Sequence, residues 1–207
     1  YRRRDVISFY YGGETIASNK INQAIADALS SNEERKFVET VEVAINLKDV
    51  DLQNPQKRIN AEVALPHGRG RPARVAVFAQ GEMAVISKKV VDTVISPEQI
   101  DELSENKREA RKLAGKFDFF VAETGLMANI GKSLGVVLGP RGKMPRPIPP
   151  QADIERIIKS LTNLVPVRSK DRPTFHVPIG NVKMSQEQLA ENLETILKRV
   201  ESSLDRG

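Results

Sequence analysis

A basic loop stiffened by proline is the segment of this sequence best suited to face an anion. After Leu138 it contains two glycines, two prolines and two cations: Gly139, Pro140, Arg141, Gly142, Lys143, Met144 and Pro145. The glycines and prolines oppose a regular helix or strand, so we expect the arginine and the lysine to project outward from a loop. The apolar segment 130–137 precedes it, which places the loop at the end of a buried element.

A second segment, Gly131, Lys132 and Ser133, invites comparison with a nucleotide-binding phosphate loop. Such a loop needs four residues between its glycines, so that successive amides wrap the phosphates. Here five residues separate Gly125 from Gly131, and Leu126 occupies the required glycine position. We therefore expect an ordinary helical turn. A sugar- or nucleotide-dependent enzyme is kept as an alternative that detectable ATP or GTP binding would revive.

Acid–base or metal chemistry would draw first on the two histidines, His67 and His176. They lie on different segments, without the spacing of a helical metal-binding pair. The chain has no cysteine and no Gly-x-Ser-x-Gly nucleophile motif. We expect no enzymatic activity, no metal site and no cofactor.

A better candidate site lies where the first alternating strand begins. Apolar residues recur at every second position from Val41 to Leu47 and are predicted to face the core, which leaves Thr40 on the solvent side. Phe37 has the inward parity, but at the start of the segment it is free to turn outward. An exposed ring would stack on an RNA base while Lys36 holds a phosphate and Thr40 offers its hydroxyl. The alternative is that Phe37 closes the core and Lys36 is merely solvated.

The segment 175–184 has a similar character. Pro178 is expected to end a strand, and Gly180 with Asn181 allows a turn with positive φ whose amides face a phosphate. His176 alternates with apolar neighbours and is expected on the wetter face of that strand. Taken alone, the segment is also an ordinary connection from a strand to a helix.

Two kinds of secondary-structure element surround these candidate sites. Both ends of the chain carry elements with one wet face: a helix over 19–29, strands over 41–47, 59–65 and 174–177, and a last helix opened by a Ser185–Gln188 capping box. We expect the strand 59–65 to pair with 41–47, antiparallel across the loop at Asn54 and Pro55.

The middle of the chain differs, because its strands are continuously apolar and are therefore expected to be covered on both faces, as in parallel sheets. The predicted strands are 75–78, 94–95 and 119–122, and the predicted helices are 82–91, 104–116 and 153–164. The cations of 104–116 are typical of a solvated helix face. We predict an α+β domain made of 1–67 and 163–207, with an α/β domain, 68–162, inserted through two adjacent linkers that form a hinge.

Composition constrains function only weakly. The 207 residues carry 32 Lys plus Arg against 27 Asp plus Glu, a net charge of +5, which suits a nucleic-acid binder but also many other proteins. No apolar run reaches the roughly 20 residues that span a bilayer. We expect an intracellular protein that does not cross a membrane.

Four motifs, in this order and spacing, resemble the L-one family of large-subunit ribosomal proteins in its archaeal form. They extend over 19–207 and comprise 36–42, the predicted hinge (Pro66, His67, Gly68 and Gly70), the signature loop 138–145, and the turn 179–184. The resemblance implies a non-enzymatic protein with a split βαβ two-layer domain and an inserted Rossmann-like three-layer domain.

The resemblance also implies a function and partners. The split domain would bind the stalk region of large-subunit rRNA beside the tRNA exit site, among other ribosomal components, and assist release of deacylated tRNA. It would also bind the leader of its own mRNA and repress translation. The protein would be cytoplasmic, in the large ribosomal subunit, and monomeric when free. A free RNA-binding regulator that never joins ribosomes is the second alternative.

By the same resemblance, seven residues would contact RNA: Lys36, Phe37, Glu39 and Thr40, with His176, Gly180 and Lys183 less strongly implied. The signature loop would chiefly shape the connection between domains. The family's chain continues into a further strand and a Thr-Met-Gly-Pro turn that touches RNA, whereas this sequence stops at Gly207. We therefore expect part of the RNA surface to lie outside it. In the segment 1–20 we recognise no motif of the family.

Overall fold

The structure is a computed structural model that describes residues 6–10, 18–30, 36–48 and 50–204. The chain forms two compact units, unit 1 from Tyr1–Pro72 with Asn163–Gly207 and unit 2 from Ala73–Thr162. The elements before unit 2 are β1 Val6–Tyr10, α1 Ser18–Ser30, β2 Thr40–Asn46 and β3 Asn60–Ala64. Those of unit 2 are β4 Val75–Phe78, α2 Gly81–Ser87, β5 Val94–Ile95, α3 Pro97–Glu105, α4 Lys107–Lys116, β6 Phe119–Glu123, α5 Met127–Leu138, β7 Arg146–Ile148 and α6 Ile154–Thr162. The remainder of unit 1 contains β8 Leu164–Arg168, β9 Thr174–Asn181 and α7 Gln186–Leu204.

Unit 1 has a three-stranded sheet in the order β1-β2-β9 and a two-stranded sheet of β3 and β8. Strand β2 is parallel to β1 and antiparallel to β9. The predicted pairing of β3 with β2 is wrong, since β3 pairs antiparallel with β8. Hairpin loops usually have two to five residues, whereas a long segment with a 3-10 turn at Pro55–Lys57 follows β2. That segment does not close a hairpin.

One hydrophobic core fills the space between the three-stranded sheet and the helices α1 and α7. The inward positions of β2 and β9 pack against helical stripes that recur every three or four residues, as the apolar spacing predicted. The large apolar side chains that these helices bury are Ile21 and Ile25 of α1, and Leu189, Leu193, Ile196 and Val200 of α7. Because both helices cover the same face, the other face of β2 and β9 is left to the polar positions of these strands.

The start of α7 has the predicted capping box. The Ser185 backbone N–H donates to the Gln188 Oε1 atom at 3.1 Å, and the Gln188 N–H donates to the Ser185 Oγ atom at 3.3 Å. Two amide groups that a helix start leaves without intrahelical partners are thereby satisfied. The prediction of this helix start is confirmed.

Unit 2 contains a four-stranded parallel sheet in the order β5-β4-β6-β7. Every residue of β4 is buried, as expected for a strand covered on both faces. The helix predicted over 104–116 is instead two helices, because Asn106 ends α3 and its Oδ1 atom accepts from the Glu109 N–H at the start of α4. Ser96 caps the start of α3, and its capping box with Gln99 was not predicted. Helix α2 ends at Ser87, earlier than predicted.

Within the described ranges, none of the helices is both long enough and apolar enough to cross a membrane.

Candidate nucleic-acid interface

The two segments singled out from the sequence lie side by side. Strands β2 and β9 pair so that Thr40 is opposite Asn181 and Ala44 is opposite His176. Beyond the strand end, the Val182 N–H donates to the Glu39 carbonyl at 3.1 Å. Residues far apart in sequence therefore form one continuous surface at the end of the sheet.

Phe37 is the most prominent side chain of this surface. Phe37 is 64% exposed and is followed by Val38, which is 45% exposed. Lys36 is also exposed. The alternative in which Phe37 closes the core is wrong for this structure. An aromatic ring open to solvent beside a lysine is the arrangement that stacks on a base and holds a phosphate.

The sheet continues this surface with polar side chains. Thr40 and His176 are exposed, and Glu39 is half-buried at the strand end. The register between β2 and β9 shifts between Val41 and Glu42, so β9 carries an extra residue, Ile179, at a bulge. Bulges redirect side chains near functional edges of sheets. Here the bulge leaves both Ile179 and the next residue, Gly180, in the core.

Gly180 was predicted to contact RNA, but the structure gives it a packing role. A Cβ atom on Gly180 would lie 2.4 Å from Leu189 Cδ2 and 2.7 Å from Met184 Sδ. Only glycine lets β9 approach α7 this closely. The turn with positive φ expected at Gly180 and Asn181 is also absent, because both residues belong to β9 and neither has a positive φ.

Lys183, by contrast, is exposed in the turn after β9, and Asn181 shapes this turn. The Asn181 Oδ1 atom accepts from the Lys183 N–H at 3.0 Å, while its Nδ2 atom donates to the Gly70 carbonyl at 2.8 Å. Gly70 has φ +78°, and a Cβ there would lie 2.4 Å from Asn181 Nδ2. Asn181 thus connects the predicted hinge to the candidate surface, a role that the sequence analysis missed.

Asn192 is a second residue whose role was not predicted from the sequence. It is fully buried in α7, where its Oδ1 atom accepts from the His67 N–H at 3.2 Å and its Nδ2 atom donates to the carbonyls of Gly68 and Ile179, each at 2.8 Å. The His67 ring lies 2.6 Å from a carboxylate oxygen of Glu191, and Gly68 has φ +66°. The sequence did contain a signal for this role, because Asn192 places an amide side chain next to Leu193 in an otherwise apolar helical stripe.

The signature loop does not present its lysine to solvent. The Lys143 ammonium donates to the carbonyls of Ala114 and Phe117, at 2.8 and 2.7 Å, where α4 ends. Such a cation satisfies carbonyls that have no intrahelical partner and complements the helix dipole. Arg141 is exposed but donates to the Val137 carbonyl at 2.9 Å. The expectation that both cations project outward is therefore wrong for Lys143.

The segment that was compared with a phosphate loop is helical, as expected. Gly131 and Lys132 lie within α5, and Gly125 lies in the short 3-10 turn that precedes it. A helix directs its amides along its own axis, so this segment does not wrap a phosphate. Among the described residues, no group of three or more His, Cys, Asp or Glu side chains is arranged to hold a metal ion.

Comparison with known proteins identifies relatives across nearly the whole chain. The sequence model of the Ribosomal protein L1p/L10e family matches residues 29–207. A protein of Methanothrix thermoacetophila named large ribosomal subunit protein uL1 is 50% identical over 188 residues, which is 90% of this chain and 89% of that protein. A protein with the same name from Archaeoglobus fulgidus is 49% identical, over 92% of this chain and 89% of that protein. Another from Pyrococcus horikoshii is 46% identical, over 91% of this chain and 86% of that protein.

Proposed function

Because this chain belongs to the ribosomal protein L1p/L10e family, we propose that it is a structural protein of the large ribosomal subunit that binds the stalk region of rRNA through unit 1. Members of the family are structural, non-enzymatic proteins. The observation that carries the proposal is the exposed Phe37 ring beside Lys36, at the end where β2 and β9 meet.

The protein would bind RNA through complementary shape and charge, and no covalent step would take place. The Phe37 ring stacks on an accessible base, and Lys36 and Lys183 hold phosphates on either side of the strand pair. Thr40 and His176 offer hydrogen bonds along the sheet face, and Glu39 adds an acceptor that favours a base edge over a phosphate. Gly180 serves this surface indirectly, by letting β9 close onto α7.

We further propose a separate role for each of the two units. Unit 1 is the split RNA-binding domain, and unit 2, with its parallel sheet, is the inserted Rossmann-like domain. In the cytoplasmic ribosome, the protein would sit beside the tRNA exit site and assist release of deacylated tRNA. The same surface would bind a copy of the rRNA site in the protein's own mRNA leader and repress translation. A gel-shift series comparing stalk rRNA with that leader tests the last role.

Replacing the ring tests the central claim. Phe37→Ala should weaken filter binding to a stalk-RNA hairpin by about 1–3 kcal/mol, or roughly 5- to 160-fold, the value of a stacked base. Its circular dichroism should not change, because the ring packs little against the core. Val136→Ala, at a side chain of α5 that is 75% exposed, is the matched control and should bind normally. Unchanged affinity of Phe37→Ala with an intact fold removes Phe37 from the site.

The charge contribution needs its own measurement. Lys36→Gln should lower the slope of log affinity against log salt by about one ion. A wild-type protein with no preference for the stalk hairpin over an unrelated RNA would contradict the proposed function. Co-sedimentation with large subunits in a sucrose gradient separates a ribosomal protein from a free RNA-binding regulator.

A further inference from the structure

A groove of about 490 Å3 opens at the end of the sheet opposite Phe37. Phe37 precedes the first residue of β2, and the groove adjoins Thr174, which pairs with the last residue of that strand, Asn46. At about 3.4 Å per residue, these ends lie roughly 20 Å apart. The groove is lined by the β8–β9 turn and the start of β9: Arg168, Ser169, Lys170, Asp171, Arg172, Thr174, Phe175 and His176.

Charge favours an anionic occupant. Arg168, Lys170 and Arg172 contribute three cations to the lining, against the single carboxylate of Asp171. Lys170 and Arg172 are both exposed, and within the described part of the chain neither side chain forms an ion pair or a hydrogen bond. Both cations are therefore available to phosphate oxygens without first giving up a carboxylate.

The turn that presents them is held rigidly. Ser169 is only 2% exposed; its N–H donates to the Ile59 carbonyl at 3.1 Å, and its Oγ atom accepts from the Ile59 N–H at 3.0 Å. The Arg172 N–H donates to the Ser169 carbonyl at 3.2 Å, and the Arg168 Nε atom donates to Asn60 Oδ1 at 2.8 Å. A turn fixed in this way loses little conformational entropy when it binds a ligand.

Lys170 adopts an uncommon backbone conformation. Its φ of +51° makes it the one residue other than glycine with positive φ in the described ranges. A side chain in this region is less favourable by roughly 1–2 kcal/mol than in the right-handed region, a penalty that glycine avoids. Backbone strain of this kind concentrates at functional sites, which makes Lys170 a candidate for contact with the occupant of the groove.

His176 joins the groove to the candidate RNA surface, since it lines the groove and is exposed on the face that also carries Thr40. We propose that the groove binds phosphate groups of the same RNA that stacks on Phe37, so that the RNA follows the sheet from one end to the other. This inference rests on the proposed function and adds a second anchoring point, made of Lys170 and Arg172, outside the motifs that suggested RNA binding.

The test is the salt dependence of binding to the stalk-RNA hairpin. The double variant Lys170→Gln, Arg172→Gln should lower the slope of log affinity against log salt by about one to two ions and weaken binding roughly 5- to 30-fold at 0.1 M salt. The matched control is Lys198→Gln, Arg199→Gln, which removes the same two charges from exposed positions of α7 on the opposite side of the sheet. Its slope should stay close to that of the wild type.

Lys170→Gly is a second variant that removes one cation and also relieves the backbone strain. It should fold at least as stably as the wild type and still bind RNA more weakly, which excludes unfolding as the cause. A normal slope in the double variant, or an equal loss in the α7 control, overturns the second anchoring point. If either occurs while Phe37→Ala still binds poorly, the proposed function survives alone. Failure of the wild type to bind the hairpin overturns both.

Discussion

The fully buried amide of Asn192 gives the most direct test of how unit 1 is held together. Its side chain connects α7 to the His67–Gly68 segment and to β9 through the Ile179 carbonyl. Asn192→Ala removes all three hydrogen bonds and leaves the helix backbone able to form. The change therefore separates the contribution of this amide from that of the helix.

The expected magnitude follows from the groups left behind. The carbonyls of Gly68 and Ile179 belong to buried residues, and leaving a buried acceptor without a donor costs about 1–3 kcal/mol. The His67 residue is exposed, so water replaces the lost acceptor for its N–H at little cost. With these two carbonyls as the main contributions, unit 1 should lose about 2–6 kcal/mol of its free energy of unfolding.

Hydrogen–deuterium exchange followed by mass spectrometry measures this loss segment by segment. Peptides of β9 and α7 should exchange roughly 30-fold or more faster, since each 1.4 kcal/mol is a factor of ten, while peptides of unit 2 keep their rates. Thr195→Ala is the control, because it deletes only the hydrogen bond from this hydroxyl to the Glu191 carbonyl in the same helix. A loss below about 1 kcal/mol in Asn192→Ala would refute the reasoning that the two carbonyls depend on this amide.

Four further substitutions test other parts of the structure. Gly180→Ala should destabilise unit 1 by about 1–3 kcal/mol, because its new Cβ atom overpacks against α7. Gly131→Ala should instead stabilise unit 2 by about 0.5–1 kcal/mol, since there is open space at its Cβ position in α5. Urea denaturation followed by circular dichroism measures both changes. Lys143→Met should cost unit 2 about 1.5–3 kcal/mol, the range for a hydrogen bond to a charged group, and hydrogen exchange of α4 should show it while affinity for RNA stays unchanged. Hydrogen bonds from the backbone and from Ser185 at the start of α7 lower the pKa of Glu187 below its ordinary value of 4.5. The stability that these bonds confer is therefore present above pH 4.5 and is lost as the pH falls through the lowered pKa. Glu187→Gln should remove this part of the acid sensitivity, measured as the urea midpoint across a pH series.

Local pattern predicted most elements because each encodes the face that it buries. Alternation identified β2 and β9, continuous apolar runs identified β4 and β6, and the four-residue spacing of α7 identified its buried stripe. The exposure of Phe37 was open from sequence alone. Its parity favoured the core, and only its position before the first strand residue, Thr40, allowed the outward orientation that the structure has.

Pairing over long sequence distances was not predictable in the same way. Strand β3 precedes unit 2 and β8 follows it, and neither sequence carries a signal for the other, so proximity in the chain misleadingly favoured β2. The same limit applies to Lys143, because its carbonyl acceptors belong to the end of α4, distant in sequence. A cation in a glycine-rich loop looks like an anion-binding group until the orientation of its ammonium is known.

These limits change how binding defects in this protein should be interpreted. Gly180 stands in a motif that resembles an RNA contact, yet its missing side chain makes room for Leu189 on the buried side of β9. Phe37 has the opposite character, because its ring contributes little to the core and is open to a ligand. A substitution at Gly180 that weakens RNA binding in proportion to lost stability therefore reports on the support of the surface. A loss at Phe37 without any change in stability reports on the contact itself, so affinity and free energy of unfolding must be measured together for each variant.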